Sequence, residues 1–68
     1  MAKISKKMFG YDILYNDDLR SDGRAVRTVW PDEDDVFPTW FLDKITARGW
    51  DYEVIWSTGA GVKCIDLV

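Results

Sequence analysis

Pro38-Thr39-Trp40-Phe41-Leu42-Asp43-Lys44-Ile45-Thr46-Ala47-Arg48-Gly49 is the stretch that decides the fold, because it is where the chain takes on a helical period. Proline suits a first helical position, where its missing N–H is no loss. Arg48 falls in the last turn with Gly49 just beyond, the usual stop signal. Phe41, Leu42 and Ile45 share one side of this helix, so it is amphipathic and needs something apolar to lie on.

The flanking sequence supplies strands. On the N-terminal side, Phe9, Tyr11, Ile13 and Tyr15 alternate with Gly10, Asp12 and Asn16, the period of a half-buried strand beginning near Met8. Asn16 to Gly23 is rich in turn formers and should reverse the chain. Arg24 to Trp30 reads as the next strand and ends at Pro31. Beyond Gly49, Tyr52 to Trp56 and Val62 to Leu67 form a second strand pair around Ser57-Thr58-Gly59-Ala60-Gly61. The expected fold is α+β in a single domain over residues 1–68. Its order is β-β-α-β-β, a four-stranded, mainly antiparallel sheet with one short helix on one face. Residues 1–6 are expected to form a flexible N-terminal arm.

Composition narrows the chemistry. The 68 residues carry 12 acidic and 9 basic side chains, a net charge of −3, no histidine and one cysteine, Cys64. Histidine-based acid–base or nucleophilic catalysis and Cys/His zinc sites are therefore excluded. Serines have no histidine to activate them, and Cys64, in a strand, reads as a small core residue. Asp17-Asp18-Leu19-Arg20-Ser21-Asp22-Gly23 fails as a calcium loop, since counting from Asp18 its third position is Arg20 and its twelfth Val29. Gly59-Ala60-Gly61 precedes a strand rather than a helix and makes no phosphate loop. No catalytic residue, metal site or cofactor is expected, and the chain is read as non-enzymatic. No run approaches the ~20 apolar residues of a membrane span, and the lone cysteine fits a reducing compartment. A cytoplasmic protein is expected, in the host's cytoplasm if the chain is phage-encoded.

The remaining signal is aromatic. Trp30, Trp40, Trp50 and Trp56 are many for a domain that buries only about 60% of the surface its unfolded chain exposes. Trp50 follows Gly49 and should pack back on Ile45. Trp56 shares a strand face with Tyr52 and Val54 and should face the core, while Trp30 closes its strand beside the acidic run. Trp40 lies about 140° from Ile45 and about 160° from Leu42 around the helix, on its flank or outside. An interface is thus expected from Trp40, Trp30, Asp32, Glu33, Asp34, Asp35 and Asp43. On this reading the chain is a small protein-binding module, an inhibitor of the phage or mobile-element kind. It would occupy a basic surface on a host protein, for example one that binds nucleic acid. The other reading is a single-stranded nucleic-acid-binding domain using Arg20, Arg24, Arg27 and the strand aromatics, although the acidic balance disfavours direct nucleic-acid contact. A second surface is the sheet face opposite the helix, expected to carry some of Met8, Leu14, Ile55 and Cys64; such a face often pairs with a partner or with itself, which leaves room for a homodimer.

Overall fold

The computed structural model describes residues 4–33 and 36–68. The strands are β1 (Ile4–Met8), β2 (Tyr11–Leu19), β3 (Ala25–Pro31), β4 (Tyr52–Thr58) and β5 (Gly61–Leu67), with α1 (Thr39–Ala47) between β3 and β4. They form one antiparallel sheet in the order β1-β2-β3-β5-β4. The fold is α+β, but the sheet has five strands where four were expected. The additional strand is β1, and residues 4–6, expected in an arm, lie within it. Met1, Ala2 and Lys3 lie outside the described residues.

The fifth strand exists because Phe9 and Gly10 make a two-residue hairpin turn. Both have positive φ, 55° and 78°, and Met8 pairs with Tyr11 on either side of them. Two positive-φ residues match the twist of a tight hairpin, yet the first position ordinarily takes Asn, Asp or Gly. A phenylalanine there is strained by about 1–3 kcal/mol. Its ring offsets that cost by packing edge-on to Phe41 at 5.7 Å and against Trp50 at 5.8 Å, under the Arg48 guanidinium at 5.2 Å. At the next turn β2 runs on to Leu19, so Asn16, Asp17 and Asp18 join the ladder and only residues 20–24 reverse the chain. That turn is closed by Arg20 N–H to Arg24 C=O at 2.8 Å and by the Asp22 carboxylate accepting from the Arg24 N–H at 3.0 Å.

The helix begins at Thr39, with Pro38 as its extended cap residue. It ends where Gly49, at φ 77°, lets its own N–H reach the Thr46 carbonyl (2.9 Å) and the Trp50 N–H reach that of Ile45 (3.2 Å). Phe41 and Ile45 are fully buried against Ile13, Val29 and Ile65 from β2, β3 and β5, and the Phe37 ring stacks on Phe41 at 5.0 Å. Cross-strand pairing puts Tyr11, Ile13, Tyr15, Val29 and Ile65 on this helix-covered face. Met8 is there too, packed against the core rather than on the opposite face. No described helix is long and apolar enough to cross a membrane.

Candidate functional site

The tryptophans separate into different surfaces. Trp40, in the first turn of α1, is 46% exposed. It is nonetheless fixed: its ring stands edge-on to Tyr11 (5.7 Å, 88°) and to Phe41 (6.0 Å, 75°). Asp43 is exposed one turn further along the helix. The Asp32 N–H donates to the carbonyl of Asp12, the residue after Tyr11, at 3.2 Å, which ties the exposed Asp32-Glu33 pair to the same end of β2. Asp34 and Asp35 lie outside the described residues. Trp40 and two carboxylate-bearing segments thus meet at one corner of the domain.

Trp30 is elsewhere. It pairs across the ladder with Leu14, three residues from Tyr11 and so on the opposite face of the sheet. That face carries two rows. In the apolar row, Leu14 pairs with Trp30 and Cys64 pairs with Trp56; Cys64 is buried. The polar row runs Asn16, Thr28, Asp66, Glu53 across β2, β3, β5 and β4. Thr28 Oγ1 donates to Asp66 Oδ1 at 2.6 Å. Arg20 reaches over from the β2–β3 turn and donates to Glu53 Oε2 at 2.6 Å and to Asp66 Oδ2 at 3.2 Å. These hydrogen bonds, the Glu53 one foremost, hold the Arg20 pKa above its ordinary value. Arg20 Nε is buried with no partner of its own.

One aromatic expectation changes and another gains a contact. Trp56, expected toward the core, is 59% exposed. The ladder passes from Val54↔Ile65 to Trp56↔Cys64, so Ile55 has no partner on β5 and the strict alternation from Tyr52 breaks there. Trp56 therefore joins the uncovered face, with Lys63 Nζ 5.0 Å above its ring. Trp50 docks on Phe9 from β1's turn and remains 44% exposed.

Two of the three clustered arginines are already engaged, and Arg24 is exposed. Besides Arg20, Arg27 donates to both carboxylate oxygens of Asp17, at 2.7 and 3.1 Å, and lies 4.3 Å above the Tyr15 ring. The Asp17 carboxyl is held below its usual range by these bonds from Arg27, and the Arg27 pKa is raised in return. An open groove of about 570 Å³ runs beside this pair, floored by Met8, Val26, Trp50 and Leu67. Among the described residues no cluster of acidic, cysteine or histidine side chains could hold a metal ion. No family model, curated protein or solved structure matches the chain.

Proposed function

We propose that this chain is a non-enzymatic protein-binding module that engages a basic partner surface through the Trp40 corner. The observation that supports it is an aromatic ring that is almost half exposed yet packed edge-on against two other rings. A side chain already fixed in place loses little entropy on binding, which is what makes rigid aromatic anchors effective. Asp43 and the Asp32-Glu33 pair supply negative charge around it, which favours a basic partner and speeds encounter with it. On this reading the partner is a host protein with a basic site, such as one that handles nucleic acid, and the chain acts as its inhibitor. Direct binding of single strands has less support, because Arg20 and Arg27 already face carboxylates.

Affinity capture with the immobilised protein, compared with its Trp40→Ala variant, tests this reading. Loss of an anchor costs about 2 kcal/mol or more of binding, roughly thirtyfold in Kd. The variant should lose the captured partner while keeping its circular dichroism spectrum. Equal capture by a folded Trp40→Ala protein would remove the anchor and the proposal with it.

A further inference from the structure

The open groove beside the Asp17–Arg27 pair encloses about 570 Å³, within the range of roughly 300–1,000 Å³ usual for ligand clefts. Met8 and Leu67 are half-buried on its floor, and Trp50 stands 44% exposed with one side against Phe9. Three carboxylates line the groove, those of Asp17, Asp18 and Asp51, against one base, Arg27. Arg27 is engaged by Asp17, which also feels the charge of Lys6 on β1. Asp18 and Asp51 are exposed, and neither has an ion pair among the described residues. Alternation turns Asp18 to the face of β2 opposite Asp17, so it adds charge at the rim rather than contact. Arg48 is close to Asp51 in sequence, but its guanidinium lies over Phe9 and does not line the groove. The groove is apolar along its floor and negative at its edge.

The chain already shows what such a surface holds. The Arg27 guanidinium is gripped by two hydrogen bonds to Asp17 and lies 4.3 Å over the Tyr15 ring, a carboxylate on one side and an aromatic face on the other. Trp50 and Asp51 bring the same two chemistries to the groove, and Asp51 has no base of its own among the described residues. We propose that the groove takes an arginine side chain of a partner polypeptide. The aliphatic stem lies on Met8 and Leu67, and the guanidinium sits between the Trp50 ring and the Asp51 carboxylate. Long basic side chains bury their stems on apolar surface while the charged head keeps polar partners. Tryptophan is the best of the aromatic rings for a cation. A planar guanidinium both stacks on a ring and forks onto a carboxylate, which favours arginine over lysine. Apolar residues flanking that arginine cover the rest of the floor.

This site does not depend on the Trp40 reading. The Trp40 ring rests on Tyr11 at the start of β2. Asp17 lies six positions further along that strand, about 20 Å away at 3.3 Å per residue.

Titration of the whole, isotope-labelled chain by NMR tests the proposal, the probe being a capped pentapeptide with one central arginine between two leucines. The amide signals of Trp50, Asp51 and Leu67 should shift saturably, with a Kd on the order of 100 μM for so small a contact. Citrulline in place of the arginine keeps the shape and removes the charge, and should raise Kd about tenfold or more. Asp51→Asn should do the same. Its backbone carbonyl still accepts from the Val68 N–H, at 3.2 Å in the wild type, and its spectrum reports directly that it is folded. Trp40→Ala should bind the peptide as the wild type does, so failure at one site leaves the other standing. Shifts centred on Trp40, Asp32 and Glu33 would overturn the proposal, as would the absence of saturable shifts up to about 5 mM peptide. So would a citrulline peptide bound equally well, or a folded Asp51→Asn protein with unchanged affinity.

Discussion

The two faces of the sheet solve the same problem by different chemistry. On one face, Phe41 and Ile45 of the helix close over Ile13, Val29 and Ile65 with no exposed surface left on any of the five. On the other there is no helix among the described residues. The Arg20 side chain crosses β3 from the β2–β3 turn to reach Asp66 on β5 and Glu53 on β4. Beneath it Asp66 is buried and Thr28 completes its hydrogen bonding. A nine-residue helix cannot cover five strands, so the covered face is held by apolar packing and the uncovered one by an ionic clasp. These differ in direction: packing is nearly non-specific in angle, whereas a clasp of charged hydrogen bonds fixes which strands lie together.

The comparison predicts an order of effects. Phe41→Ala removes the ring on which Phe9, Tyr11, Phe37 and Trp40 converge. A buried phenylalanine truncated to alanine costs about 3–5 kcal/mol, as much as a core of this size rarely exceeds. Chemical denaturation should find the variant largely unfolded without denaturant. Asp66→Ala acts on the other face, taking one acceptor from Arg20 and the carboxylate to which the Thr28 hydroxyl donates. Breaking a fully buried pair costs about 3–5 kcal/mol. Arg20 is partly exposed and keeps Glu53, so a loss of about 2 kcal/mol is expected. If Asp66→Ala instead proved as stable as the wild type, the clasp would be ornament and the uncovered face would owe its order to the ladder alone.

Sequence reasoning could see one of these faces far better than the other. Pro38 and Gly49 bracket the helix, and Phe41 and Ile45 stand where their period requires. The tight hairpin at Phe9-Gly10 was hidden because a phenylalanine holds the left-handed position, stabilised by rings from residues 41 and 50 that are distant in sequence. Without that turn Ile4–Met8 reads as a charged tail rather than a strand. Trp56 was misplaced for a related reason: alternation assigns faces only while register holds, and the bulge at Ile55 is set by the partner strand. The Arg20–Asp66 clasp spans 46 positions, with no local pattern to announce it. At the candidate interface, Trp40's place on the flank of the helix followed from its angle alone, but its fixation by Tyr11 depended on the same unseen packing.

The smallest effect belongs to the ion pair that shares the helix-covered face but lies beyond the helix. Asp17 and Arg27 pair across β2 and β3 next to Tyr15, with the carboxylate well exposed. Arg27's hydrogen bonds, chiefly, hold the Asp17 carboxyl below its ordinary 3.8. A carboxyl whose pKa is lower folded than unfolded contributes stability above its unfolded value and loses it as pH falls through the folded one. The pair therefore supports the fold at neutral pH and fades on acidification below about pH 4. Asp17→Asn should melt slightly below the wild type at pH 7, and the two melting temperatures should converge as the pH is lowered through that window. Exposed pairs of this kind contribute little, so the difference at pH 7 should be well under that of Asp66→Ala. Were Asp17→Asn the more damaging, the ionic order of the molecule would lie at the rim of its covered face, and the division of labour between the two faces would be reversed.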